Sequence, residues 1–188
     1  MKYSDLPIGK QAPDVFNVVV EIPKGSANKY EYDTALNVFK LDRTLYSPMH
    51  YPGDYGFVPS TIAADGDPVD VLVLVESATF PGCLIEARAV GMLEMVDQGV
   101  EDLKLLCVST KDPRQETVKN YSDVHPHRLR EIEHFFGIYK ELEGKETETR
   151  GWRSAEDARR VLVTASERFL KDRSQRSEVR GQESVLEG

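Results

Sequence analysis

The stretch that most limits how this chain can fold is residues 65–75, Asp-Gly-Asp-Pro-Val-Asp running directly into Val-Leu-Val-Leu-Val. The apolar run is stable only when buried, and it reads as a strand over 70–76. Asp65, Asp67 and Asp70 stand within six residues at its start. Like charges this close repel, and the repulsion grows as the local dielectric falls, so ionising all of them beside a core requires compensation. A divalent cation such as Mg²⁺ supplies it, because hard cations prefer carboxylate oxygens and commonly bridge to phosphate. In a plain strand Asp65 and Asp67 would share a face and Asp70 would point away. Gly66 permits sharp turning and Pro68 fixes φ and removes a ladder donor, so the chain can aim all three carboxylates at one point.

Two other readings compete. Asp, Gly and Pro together often make a solvated turn. A calcium helix-loop-helix counted from Asp65 would put Glu76 at its twelfth position, but Val69 then replaces the fifth ligand and Asp70 the turn glycine. A strand-like run also follows where the exiting helix should be, so the calcium reading fails.

The 188 residues suffice for one domain with a core, and 40% hydrophobic with 30% charged residues is ordinary for a soluble globular chain. A net charge of −8 disfavours an electrostatically driven nucleic-acid or anionic-membrane binder. No apolar run approaches the roughly 20 residues that span a bilayer, and the first residues lack an apolar signal core. Cys83 and Cys107 lie in strand-like runs and read as buried thiols of a reducing compartment, with the cytoplasm as the default.

In chain order, residues 1–14 read as an irregular arm and 15–22 as a β-branched strand stopped by Pro23 and Gly25. Short strands are expected at 28–33 and 37–42, with Lys29 and Glu31 on one face. Residues 43–64 lose periodicity at repeated Pro and Gly. Their tyrosines argue against disorder, so an ordered loop lining a site is expected. Further strands are expected at 83–96, bent at Gly91, and at 102–108. Helices follow at 127–143, with Gly144 as a stop, and from Ser154, which can cap backbone donors with Asp157 three residues on. Residues 172–188 turn polar and read as a frayed or disordered tail outside a single domain of 1–171. Many short strands followed by helices suggest a small β-barrel with helices packed on it.

At or beside the strand ends stand seven acids, Glu21, Glu31, Asp65, Asp67, Asp70, Asp97 and Asp102. Among them are the cations Lys29, Arg43, Lys104 and Lys140 and the phenols Tyr51, Tyr55 and Tyr139. Many acids suggest several divalent metals, and scattered Lys and Arg suggest a substrate more negative than the metals alone absorb. Phosphates fit both.

Asp-Gly-Asp-Pro-Val-Asp-Val resembles the signature of the family I soluble inorganic pyrophosphatases. The likeness extends in order and spacing through Val-Val-Val-Glu-Ile-Pro, Lys29-Tyr30-Glu31, Asp42-Arg43, Tyr51-Pro52 and Asp54-Tyr55-Gly56. It continues through Pro81-Gly82, Val90-Gly91, Asp97, Glu101-Asp102 with Lys104, His134-Phe135-Phe136 with Tyr139-Lys140, and Gly151-Trp152. It spans roughly residues 5 to 170 and has no clear match over 109–125. The resemblance implies an α+β, mainly β fold, a five-stranded OB-type barrel with flanking helices, that hydrolyses inorganic pyrophosphate with Mg²⁺. Carried over by position, it implies that Asp65, Asp70 and Asp102 hold the two metals that activate water. Asp97 would join Asp102 on a further substrate-bound metal, and Glu21 and Glu31 would act mostly through waters. Asp67 would take the proton of the attacking water, and Lys29, Arg43, Lys104, Tyr55, Tyr139 and Lys140 would bind phosphate, with Tyr51 nearby. It also implies a homohexamer.

Without the resemblance, Tyr139 reads as packing and His134 as structural or at a subunit contact. Asp42 and Asp54 could each orient a cation. The competing function classes are an OB-type nucleic-acid module, which seven clustered acids oppose, and a metal-dependent hydrolase of another phosphoanhydride.

Overall fold

In the computed structural model, residues 2–186 are described, with side chains described to residue 175. The strands are β1 (Phe16–Ile22), β2 (Asn28–Asp33), β3 (Val38–Thr44), β4 (Asp54–Val58), β5 (Val69–Leu74), β6 (Leu84–Asp97), β7 (Val100–Glu101), β8 (Lys104–Ser109) and β9 (Thr147–Ser154). The helices are α1 (Pro126–Ile138) and α2 (Ala155–Leu186). Strands pair in the order β1-β4-β5-β8-β6, and β6 returns to β1, so five strands close into a ring. One pair of that ring, β5 with β8, is parallel, and the others are antiparallel. Closure removes the open edges that a flat sheet would expose. The expected mainly-β fold, a five-stranded near-barrel with two helices, is what the chain forms.

The apolar run explains itself in this frame. Val71 and Val73 pack with Phe16, Val18, Ala158, Leu162 and Ala165, on the side covered by α2. Leu72 and Leu74 alternate to the other side, with Tyr51, Tyr55, Phe135 and Phe136 beneath α1. Both faces of β5 are covered, so no polar alternation is needed.

Sequence and structure part at four elements. β4 was hidden inside the expected loop 43–64: all five of its residues are buried, so it shows no alternation, and Pro and Gly flank it. Its Gly56 lies so close to β1 that a Cβ there would sit 1.9 Å from the Val19 carbonyl oxygen. β9, polar and half-exposed, is added against β6 outside the ring. The first helix stops at Ile138, and Lys140 leaves helical geometry (φ −105°, ψ 0°) before a 3-10 turn at Glu141–Glu143 that ends at left-handed Gly144.

The second helix starts where expected. Asp157 N donates to Ser154 Oγ at 3.2 Å and Ser154 N to Asp157 Oδ2 at 3.2 Å, a reciprocal cap. Its backbone then continues to Leu186, past the expected end near Lys171. The side chains of 176–188, on which the reading of a disordered tail chiefly fell, lie outside the described residues.

Candidate active site

The acidic loop is folded by its own backbone. Gly66 has φ +95°, Asp67 N donates to Asp65 Oδ1 at 3.0 Å, and Ala63 N donates to the Asp67 carbonyl at 2.7 Å. Val69 N donates to buried Thr61 Oγ1 at 3.0 Å, which fixes where β5 begins. Asp65, Asp67 and Asp70 then line one cleft of about 390 Å³ with Glu21, Lys29, Glu31 and Tyr55. The turning that Gly66 and Pro68 allow thus brings three carboxylates to one hollow.

Register brings in the next group. Asp70 lies opposite Lys104 across the parallel β5–β8 pair. The Lys104 ammonium, 4% exposed, bonds Asp70 and also reaches Asp102 Oδ1 at 2.5 Å. It lies 5.5 Å from the centre of the Tyr55 ring. Burial works against its charge, but Asp70 and Asp102 outweigh burial and hold it above its ordinary pKa. Asp102 is itself raised, by burial and by Asp70.

On the β2–β3 hairpin, Lys29 faces Arg43 in register. Lys29 pairs with Glu31 and lies 3.4 Å from Asp42, which also pairs with Arg43. Asp42 therefore orients two cations. Lys29 and Arg43 hold its carboxyl below the usual range although partial burial opposes them. Asp54, the other uncertain acid, is fully buried and accepts from Lys24 N, Thr79 N and Thr79 Oγ1 at 2.7–3.1 Å. It pins loops and faces no cation of the site.

At the end of α1, Lys140 pairs with Asp97 and lies 5.2 Å from the Tyr139 ring centre. Tyr139 is buried, stacked on Phe135 at 5.3 Å, so the packing reading is also satisfied. Burial and nearby carboxylates push the Tyr55 and Tyr139 hydroxyls up, so both stay protonated donors. Tyr51 is pushed up by burial too. Arg43, Asp97, Tyr139 and Lys140 do not line the 390 Å³ cleft, though Tyr139 lies near enough to Asp70, Asp97, Asp102 and Arg43 to feel their charge. Asp102 joins Asp65 and Asp70 instead along a second, mainly apolar cavity of about 270 Å³ beneath α2.

Burial strains Glu21, Asp67 and Asp102. Burial raises Glu21 to about 8, although its Oε1 accepts from Tyr32 N at 2.8 Å. Asp67 is raised by burial and then by Asp65 and Asp70. Among the described residues no three of these carboxylates are gathered tightly enough to hold an ion unaided; lysines lie between them. The donor set still fits a hard divalent cation, being all carboxylate oxygen. Asp97 Oδ1 adds a buried acceptor without a hydrogen-bond partner among the described residues.

One acid of this region gave no signal in the sequence. Glu143, which reads there only as a helix end, has a side chain 5% exposed and accepts from Arg43 Nε at 2.7 Å. The pair is 100 residues apart in the chain, so no local spacing could have revealed it.

A ring of strands whose mouth concentrates carboxylates and interleaves them with Lys, Arg and neutral phenols suits one class of protein, a hydrolase that handles a small phosphate polyanion together with divalent cations. Comparison with known proteins narrows this. The inorganic pyrophosphatase profile matches residues 18–170. The inorganic pyrophosphatase of Halalkalibacterium halodurans is 51% identical over 157 residues, 84% of this chain and 96% of that one. That of Synechocystis is 53% identical over 156 residues, 83% and 92% of the two chains. The crystal structure of the Thermus thermophilus inorganic pyrophosphatase superposes with a TM-score of 0.88 at 42% identity, covering 90% of this chain and 99% of that one. The chain belongs to the family I soluble inorganic pyrophosphatases, hydrolases of inorganic pyrophosphate, and this family is metal-dependent.

Proposed function

We propose that this chain hydrolyses pyrophosphate with Mg²⁺ held by Asp65, Asp70, Asp97 and Asp102, with Glu21 and Glu31 acting through the ion's waters. The observation that carries this reading is the pairing of three lysines, Lys29, Lys104 and Lys140, with Glu31, with Asp70 and Asp102, and with Asp97. Each of these three lysines, expected to hold phosphate, neutralises an acid expected to act on metal, whereas Arg43 pairs with Asp42 and Glu143. When bound, Mg²⁺ makes water acidic enough to attack at neutral pH and offsets charge on the diphosphate oxygens. With the acids so compensated, the ammonium groups are free to turn to phosphate.

Asp67, whose raised carboxyl lies in the same cleft as Asp65 and Asp70, accepts the proton of the attacking water. Lys29, Arg43, Lys104 and Lys140 bind phosphate oxygens, Arg43 through a planar fork and the lysines as point charges. The neutral Tyr55 and Tyr139 hydroxyls donate to them. Phosphoryl transfer asks chiefly for in-line positioning and for charge stabilisation on the leaving phosphate, and this set meets both needs.

We further infer one catalytic domain over 1–171, a homohexamer and a cytoplasmic location. These rest on family likeness and on relatives such as the rice enzyme, named a soluble inorganic pyrophosphatase, 49% identical over 83% of this chain and 73% of that one. Among the described residues no helix is long and apolar enough to cross a membrane.

The test is phosphate release from pyrophosphate, with Mg²⁺ and with chelator, by the parent and by Asp67→Asn. The variant should lose about 10²–10⁴-fold in turnover, the usual contribution of a general base. Turnover within threefold of the parent removes Asp67 from that role.

A further inference from the structure

The β2–β3 hairpin forms a sheet of its own, with no ladder to the five-strand ring. The hairpin is tied to the ring near its turn by Tyr32, whose N donates to Glu21 Oε1 and whose ring stacks on Phe57 at 5.9 Å. A phosphate-binding cation at its other end therefore needs an anchor of its own to hold its direction. For Arg43 that anchor is Glu143. Its buried carboxylate takes Nε at 2.7 Å, while Asp42 takes Nη1 from within the hairpin. A guanidinium is planar, so two carboxylates bound to different nitrogens fix the plane. Nη2 is buried and, among the described residues, has no hydrogen-bond partner. A buried donor without an acceptor is unfavourable, and a phosphate oxygen is the acceptor that such a donor suits. Glu143 also sits three residues beyond Lys140, on the 3-10 turn that follows Tyr139, and its second oxygen lies 3.4 Å from Lys145 Nζ. One carboxylate therefore ties the hairpin's cation to the turn that carries the α1-side phosphate ligands.

We infer that Glu143 is a positioning residue for pyrophosphate: it sets the plane of the Arg43 guanidinium so that Nη2 faces phosphate, and it fixes Arg43 relative to Tyr139 and Lys140. This rests on Arg43 as a phosphate ligand. Glu143 itself touches no substrate.

Steady-state hydrolysis at fixed free Mg²⁺, on folded protein checked by thermal melting, compares the parent with Glu143→Ala, Glu143→Gln, Arg43→Lys and the Arg43→Lys/Glu143→Ala pair. Glu143→Ala should raise KM for pyrophosphate about 10-fold with kcat within about threefold, the signature of lost uniform binding. Glu143→Gln keeps an acceptor of the same shape and should recover most of that loss. If Glu143→Ala does not fold, Glu143→Gln carries the test, with KM raised about threefold. Arg43→Lys alone should raise KM at least as much as Glu143→Ala, and the pair should be no worse than Arg43→Lys. An unchanged KM in the Glu143 variants, with Arg43→Lys impaired, overturns the inference and leaves Arg43 standing. Additive losses in the pair overturn it as well, because Glu143 would then act elsewhere. A parental KM in Arg43→Lys sinks the phosphate role of Arg43 itself.

Discussion

Lys104→Met separates electrostatic compensation from packing, since Met keeps much of the stem and loses the charge. In the metal-free protein the Lys104 ammonium is the counter-ion shared by Asp70 and Asp102, 2.5 Å from the latter, and it lies over the Tyr55 ring. Removing one partner of a buried ion pair costs about 3–5 kcal/mol. Asp70 is 32% exposed and Asp102 16%, so water screens part of this, and about 2–4 kcal/mol is expected once screening is discounted. For a chain of this size 1 kcal/mol corresponds to about 2–4 °C, so melting in chelator should fall by about 5–15 °C. Saturating Mg²⁺ should then stabilise the variant more than the parent, because two carboxylates have lost their cation. At saturation the gap narrows by the ratio of the two Kd values alone, so a tenfold tighter Mg²⁺ site in the variant recovers about 1.4 kcal/mol. Differential scanning calorimetry of both proteins, in chelator and in Mg²⁺, reads this directly. Melting temperatures within 2 °C of each other in chelator, or a gap that Mg²⁺ leaves unchanged, would refute the idea that ammonium and metal satisfy the same acids.

Two further outcomes follow from the same structure. Glu21 has a folded pKa raised to about 8, above its ordinary 4.5, so its contribution to metal-free stability is present below about pH 4.5 and is lost as pH rises through 8. Glu21→Gln should flatten that fall in a series of melts in chelator from pH 5 to 9, and an unaltered slope would clear Glu21 of it. Gly56→Ala would put a Cβ 1.9 Å from the Val19 carbonyl oxygen in the β1–β4 pair, so a loss of about 3 kcal/mol or more is expected in urea unfolding. A midpoint equal to that of the parent would mean that β1 and β4 part at no cost.

Much of the site was legible because its chemistry is local in sequence. Asp65, Gly66, Asp67, Pro68 and Asp70 form their loop from adjacent residues, and the Asp65 and Asp67 contacts that shape it span two positions. The Ser154–Asp157 cap and the apolar stripe of α2 are local in the same sense. β4 was hidden for a physical reason: a strand covered on both faces and flanked by Pro and Gly carries no period. β9 was hidden for the opposite one, its polar composition being set by an outer face against β6.

The sequence by itself determined the acidic loop, the buried strand that follows it, and the kinds of side chain available for metal and phosphate. The Lys29–Glu31 and Lys104–Asp102 pairs join residues two apart, as strand alternation allows, but only the tertiary structure decided the pairings between distant residues. Lys104 meets Asp70 through the parallel register of β5 and β8, Lys140 meets Asp97 from the end of α1, and Arg43 meets Glu143 across 100 residues. Such pairings depend on ring closure and helix docking, which act over distances that no sequence spacing encodes.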